Sequence, residues 1–137
     1  MSLIVQKYGG SSVADLDKIK SVASRIKSYV DQGHSLVVVV SAMGKTTDRL
    51  LEMAREVHPS PPDRELDMLL STGEQVAIAL LSMALNALGQ EAIALTGGQA
   101  GIHTSNFHTK AKIITIDPQR IFRHLDEKKV VIVAGFQ

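Results

Sequence analysis

Short runs of apolar, often β-branched residues recur along the chain, separated by longer mixed stretches. They lie at residues 3–7, 36–41, 92–96 and 130–134. The second run does not alternate with polar residues, which is typical of a strand covered on both faces in a parallel sheet. We therefore expect the four runs to lie parallel in one sheet.

Apolar residues spaced three or four positions apart predict helices between these runs. The first helix ends before Gly33, and its apolar face consists of Ile19, Val22, Ala23, Ile26, Tyr29 and Val30. A second helix covers residues 50–57 and is followed by Pro59, Pro61 and Pro62, which break it before a long apolar helix that extends to Gly89. We expect Gly73 to interrupt the long helix.

Two shorter elements complete the pattern. Residues 112–116 predict an edge strand, and residues 118–125 predict a helix with a proline in its first turn. Strands that alternate with helices predict an α/β fold, a three-layer α/β/α sandwich with a mainly parallel sheet. Ligands of such folds collect in the loops that follow the strands.

The end of the chain departs from this pattern. The 137 residues amount to one domain or part of one. They stop directly after a strongly apolar strand, where an α/β chain normally continues into a covering helix. We therefore expect a fragment, with an exposed apolar flank at residues 130–133.

Composition excludes several classes of function. A net charge of +1 provides no basic field for a nucleic acid backbone, and the absence of cysteine excludes disulfides, thiolate zinc sites and cysteine nucleophiles. The apolar stretch at residues 76–88 contains Ser82 and Asn86 and is too short for a membrane span. No export signal opens the chain. We expect a cytoplasmic protein with no nucleic acid or membrane partner.

The first candidate site is the segment Lys7-Tyr8-Gly9-Gly10-Ser11-Ser12, between the first strand and the first helix. Its glycines permit close approach of the backbone, and amides at a helix start favour an anion. Lys7 adds a point charge for phosphate. The alternative is an ordinary glycine turn with a surface lysine.

The segment Ser41-Ala42-Met43-Gly44-Lys45-Thr46-Thr47 follows the second strand. Its Gly-Lys-Thr ending is shared with the P-loop, but a P-loop has another glycine five places before Gly44, where this chain has Val39. Ser41 and Thr47 either hydrogen-bond a small polar ligand or cap a helix.

A third segment, Leu70-Ser71-Thr72-Gly73-Glu74-Gln75, places a carboxylate in an otherwise apolar helical region. An unpaired buried charge is costly, so Glu74 should meet a cation, such as a ligand ammonium group, or reach solvent. Alternatively, Glu74 lies near the start of a helix and interacts with its dipole.

Other motifs carry less information. The glycines of residues 96–101 do not follow the Gly-x-Gly-x-x-Gly spacing of dinucleotide-binding loops. Without neighbouring cysteines, we assign no metal site to the histidines, which are His34, His58, His103, His108 and His124.

Taken together and in this order, the three segments resemble the N-terminal part of bacterial aspartate kinases, within the amino acid kinase family. The opening lysine and glycines are shared with kinases of glutamate, acetylglutamate and uridylate, whereas Ser-Ala-Met-Gly and Ser-Thr-Gly-Glu-Gln are similar to aspartate kinases in particular. The resemblance extends to the closing Ala134-Gly135-Phe136-Gln137.

The resemblance implies transfer of the ATP γ-phosphoryl group, with Mg²⁺, to the side-chain carboxylate of L-aspartate, in lysine, threonine and methionine biosynthesis. It implies that Lys7 is catalytic and stabilises the transferring phosphoryl group, that Lys7, Tyr8, Gly9, Gly10 and Ser11 bind ATP phosphates, and that Ser41, Thr47 and Glu74 bind aspartate. A homo-oligomer is expected.

The resemblance also implies what is absent. Residues 1–137 correspond to the N-terminal, substrate-binding part of the catalytic domain, without the nucleotide-binding half and the ACT regulatory domains, so we expect the isolated piece to be inactive. The alternatives are another amino acid kinase and a non-catalytic module that binds an amino acid or an anion.

Overall fold

The computed structural model describes residues 2–106 and 111–135. Its main sheet has four parallel strands in the spatial order β1 (Leu3–Tyr8), β2 (Ser35–Val40), β6 (Val130–Ala134) and β3 (Ala92–Leu95). The predicted parallel sheet is confirmed. Lys7 lies opposite Val39, and Val40 lies opposite Ala134, so the three neighbouring strands end at one edge.

Helices cover both faces of this sheet. On one face, α1 (Leu16–Asp31) and α3 (Asp63–Ala87) pack together, and α2 (Thr46–Val57) packs on α3. On the other face, Leu125 of α4 (Gln119–Asp126) packs with Val131 and Val133 of the sheet. The three-layer α/β/α sandwich predicted from the sequence is therefore confirmed.

Strands β4 (Ile102–Thr104) and β5 (Ile113–Ile116) form a separate antiparallel pair. The edge strand predicted at 112–116 corresponds to β5, whereas its partner β4 was not predicted because three residues carry too little periodicity. The predicted helix at 118–125 is present as α4, with Pro118 at its N-cap.

Helix α3 runs without interruption for 25 residues, so the prediction that Gly73 breaks it is wrong. Glycine in a helix interior costs about 1 kcal/mol relative to alanine. The helix buries Ala77, Ile78, Leu81 and Leu85 in the core, and each large side chain contributes about 2 kcal/mol. Tertiary packing therefore outweighs the local preference.

By length and composition alone, α3 is apolar enough to cross a membrane. Seven of its residues are buried inside the fold, where the helix packs against α1 and the sheet. The core of this domain therefore accounts for the apolar character of α3.

The expectation that residues 130–133 form an exposed apolar flank is wrong. Strand β6 lies in the interior of the sheet between β2 and β3, and all five of its residues are buried. The exposed apolar side chains of the sheet lie instead on edge strand β1, where Leu3 is 51% and Val5 65% exposed. The order of strands in space, rather than their order in the chain, decides which strand is covered.

Candidate active site at the carboxyl edge of the sheet

Lys7 and Tyr8 end strand β1, and their side chains lie on opposite faces of it. Lys7 is exposed, and within the described part of the chain its ammonium group has no hydrogen bond or ion pair. The Tyr8 hydroxyl donates to Gln6 Oε1 at 2.9 Å. Burial raises the pKa of Tyr8, although nearby Arg25 opposes the shift. Of these two residues, Lys7 is therefore the one whose side chain is available to a ligand among the described residues.

The two glycines after β1 differ in their surroundings. A Cβ atom at Gly9 would meet nothing within 4 Å, so the backbone there is open to approach. A Cβ atom at Gly10 would lie 2.9 Å from the carbonyl oxygen of Ala42 and 3.0 Å from that of Gly44. The neighbouring loop thus leaves no space for a Cβ atom at Gly10, whereas the space beside Gly9 is available to a ligand.

The loop after β2 is tied to the loop after β1 by backbone hydrogen bonds. Ser41 N–H donates to the Tyr8 carbonyl at 3.1 Å, and Gly44 N–H donates to the Gly10 carbonyl at 2.9 Å. Gly44 has a φ of +51°, in the left-handed region that favours glycine. The two loops therefore form one connected surface.

The capping alternative for Ser41 and Thr47 is wrong. Helix α2 begins at Thr46 with Lys45 at its N-cap position, and no side chain caps it. Ser41 is half-buried and Thr47 is exposed in the first turn of α2. Neither hydroxyl is needed to begin the helix, so a ligand-binding role for them stays a prediction.

Glu74 lies in the middle of α3 and is only 7% exposed. The alternative that Glu74 lies near a helix start is therefore wrong. The adjacent Gly73 faces the loop after β2: a Cβ atom there would lie 3.1 Å from Thr46 Cγ2 and 3.2 Å from Ala42 Cβ. The third segment thus packs directly on the second.

Gly10 and Gly73 both contact the segment 42–46, so the three sequence segments are contiguous in space. They combine an exposed ammonium group, backbone amides beside an open glycine, hydroxyls and a buried carboxylate. This combination suits a ligand with both anionic and cationic groups. That Lys7, Ser41, Thr47 and Glu74 act on one ligand stays a prediction.

The sequence predicts no metal site at the histidines. Within residues 2–106 and 111–135, no three His, Asp or Glu side chains form a group that could hold a metal ion. His34 accepts a hydrogen bond from the backbone N–H of Ser2, and His58 accepts one from that of Ser60. His108 and the closing Phe136-Gln137 lie outside the described residues.

The sequence model of the amino acid kinase family matches residues 2–137. The chain belongs to the amino acid kinase family. Over all 137 residues it is 56% identical to the aspartokinases of Geobacillus stearothermophilus and of Mycobacterium tuberculosis H37Rv. It spans 34% and 32% of their lengths, about a third of each relative.

Solved structures of this family have the same fold. The aspartate kinase of Synechocystis superimposes with a TM-score of 0.85 at 56% identity, over 98% of this chain and 22% of that one. E. coli aspartokinase III, in complex with aspartate and ADP, superimposes with a TM-score of 0.82 over 98% of this chain and 40% of that one. At 19% identity, the latter similarity shows the fold alone.

Sequence reasoning included Ala42 and Thr46 in the second segment but missed that they contact the other segments. Ala42 is 5% exposed and touches both Gly10 and Gly73. A small residue between two candidate hydroxyls gives no chemical signal. A glycine inside a helical pattern was the available signal, because it often marks a close packing contact.

Proposed function

We propose that the whole protein is an aspartate kinase, which transfers the γ-phosphoryl group of ATP to the side-chain carboxylate of L-aspartate. The observation that carries the proposal is the contact of the three segments at one edge of the sheet, in a chain 56% identical to aspartokinases along its full length. Because the chain spans about a third of those relatives, the proposal concerns the whole protein.

The proposed reaction needs little covalent chemistry from the protein. A carboxylate oxygen of aspartate attacks the γ-phosphorus, and the bond from that phosphorus to the β–γ bridging oxygen breaks, so ADP leaves with the electron pair. No proton has to be removed from the nucleophile. Positioning and neutralisation of charge are therefore the tasks of the site.

Lys7 is proposed as the catalytic cation, because its exposed ammonium group lies just before the candidate phosphate-binding loop. The backbone around Gly9 and Gly10, with Tyr8 and Ser11, would bind phosphate oxygens, and the open space at Gly9 supports this placement. For Tyr8 the contribution would come from the backbone, since its hydroxyl is bonded to Gln6.

Glu74 would accept hydrogen bonds from the α-ammonium group of aspartate, while Ser41 and Thr47 would hold polar atoms of the same ligand. The burial of Glu74 supports this role, because an ion pair in a site shielded from water is stronger than one at the surface. A UMP kinase from Ureaplasma parvum has a similar fold, with a TM-score of 0.65, so the acceptor is decided by such side chains and not by the sheet.

Mg²⁺ would accompany ATP, but the described residues around Lys7, Ser11 and Ser41 supply hydroxyls and an ammonium group rather than carboxylates, and no group of three ligands is present among the described residues. We further propose that the protein acts in the biosynthesis of lysine, threonine and methionine, that it is cytoplasmic and that it forms a homo-oligomer.

The test is a coupled ADP-release assay on the intact protein, with formation of an acyl phosphate measured by trapping with hydroxylamine. We expect turnover with L-aspartate and none with glutamate or UMP. Lys7→Ala should abolish it, whereas the matched variant Lys20→Ala, at an exposed position of α1, should leave it intact. Turnover with a different acceptor but not with aspartate would indicate another amino acid kinase. The absence of turnover with every acceptor would favour a non-catalytic binding module.

A further inference from the structure

Gly73 has little room for a side chain. A Cβ atom there would lie 3.1 Å from Thr46 Cγ2, 3.2 Å from Ala42 Cβ and 3.5 Å from Leu50 Cδ1. The first two distances are shorter than an ordinary carbon–carbon contact of about 3.5–4.0 Å. Helix propensity alone would favour alanine at this position. The neighbouring segment, rather than the helix, therefore accounts for the glycine.

Ala42 is confined from a second side. Its carbonyl oxygen lies against Gly10, 2.9 Å from where a Cβ atom would be. Gly44, two residues on, donates its N–H to the Gly10 carbonyl. The segment 41–45 is thus in contact with two positions that lack side chains. A shift of this segment away from Gly73 would therefore alter its contacts with Gly10.

We propose that Gly73 is a positioning residue, which sets the spacing between α3 and the segment 41–45. Glu74 is the next residue of the helix, and Ser41 begins the segment, so the spacing between these two polar groups depends on the close contact at Gly73. Gly73 itself touches no ligand. The consequence for substrate rests on the proposed function, in which one amino acid spans Glu74 and Ser41.

The kinetic test compares Gly73→Ala with the unaltered intact protein. We expect the KM for aspartate to rise about tenfold, because misplacement by a few tenths of an ångström weakens a ligand held from both sides. The KM for ATP should rise less than the KM for aspartate, because Gly73 contacts the segment 41–45 directly and the loop after β1 only through that segment. Gly98→Ala is the matched control, since a Cβ atom at Gly98 would meet nothing within 4 Å.

Second-site rescue distinguishes positioning from general damage. Thr46→Ser keeps the hydroxyl but removes Cγ2, the atom that would lie nearest to the new Cβ atom. In the double variant Gly73→Ala with Thr46→Ser, the KM for aspartate should fall by about threefold relative to Gly73→Ala, a partial rescue because the contact with Ala42 Cβ remains. A double variant as impaired as Gly73→Ala would overturn the proposal.

Amide hydrogen exchange tests the spacing without reference to any reaction. In Gly73→Ala, the Gly44 N–H, which donates to Gly10, should exchange about tenfold faster, and Thr46→Ser should reverse part of that increase. The Ser35 N–H, bonded to the Ser2 carbonyl at the opposite edge of the sheet, should not change.

Unchanged exchange at Gly44 would overturn the proposal, whatever the protein catalyses. Faster exchange with an unaltered KM for aspartate would overturn the link to substrate. If the unaltered protein does not phosphorylate aspartate, the proposed function fails before any variant is compared, and the exchange result alone decides whether Gly73 sets the spacing.

Discussion

The backbone N–H of Gly44 donates a 2.9 Å hydrogen bond to the carbonyl oxygen of Gly10. This bond joins the loop after β1, the strand in which Lys7 lies next to the last residue, to the loop after β2, which carries Ser41. Gly73 of α3 packs against the second loop. A change in the structure of one loop is therefore expected to alter the structure of the other.

Gly10→Ala should lower the free energy of unfolding by about 1–3 kcal/mol, because its Cβ atom would collide with two backbone carbonyl oxygens that cannot rotate away. Gly9→Ala is the matched control, since its Cβ atom would enter open space, and it should change stability by less than about 0.5 kcal/mol. Urea unfolding of both variants measures the difference. Equal stabilities would mean that the contact of Gly10 with Ala42 is not close in solution.

Lys7→Ala should lower kcat in the intact protein by about a hundredfold or more, because Lys7 faces charge that develops in the transition state. Its KM for aspartate should change little. Steady-state kinetics with each substrate varied in turn provide the measurement. A loss confined to KM would show that Lys7 binds the ground state and is not catalytic.

Glu74→Gln should chiefly raise the KM for aspartate, by about tenfold to a hundredfold, because a charge-assisted hydrogen bond to an ammonium group is lost. The substitution preserves the shape of the side chain at a site that is 7% exposed. Its kcat should stay within a few-fold of the unaltered protein. The same kcat loss as in Lys7→Ala, with no change in KM, would contradict the role of Glu74.

Asp15→Ala should lower the free energy of unfolding by about 1 kcal/mol, because Asp15 caps α1. Its carboxylate accepts the Lys18 backbone N–H at 2.8 Å. Asp15→Asn keeps an acceptor and should retain most of the stability. Thermal unfolding of the two variants measures the effect, and an equal loss in both would assign it to charge rather than to capping.

In Tyr8→Phe, the free energy of unfolding should decline less steeply at high pH than in the unaltered protein. Burial raises the pKa of Tyr8 in the folded state above its ordinary value of 10.0. The folded state then holds its proton where the unfolded state has lost it, so this contribution is complete below about pH 10 and declines as the pH rises through the folded pKa. Urea unfolding between pH 8 and 11 tests this, with Tyr29→Phe as the comparison.

The amino-acid sequence by itself determined the elements and their layers. Runs such as residues 36–40 are short, β-branched and apolar without alternation, a pattern typical of a strand covered on both faces. The helical spacing of Ile19, Val22 and Ile26 and the proline before α4 are equally local signals. The three candidate segments were also visible, because glycines, hydroxyls and a carboxylate are unusual beside such runs.

The tertiary structure alone decided how these pieces meet. It placed β6 in the interior of the sheet and left Val5 of β1 exposed, because strand order depends on contacts between residues far apart in the chain. It kept α3 continuous through Gly73 and thereby put Glu74 in the middle of a helix, since core burial exceeds the local cost of a glycine. The close contacts of Gly10 and Gly73 with Ala42 exist only once three distant segments pack together, so no local pattern could have specified them.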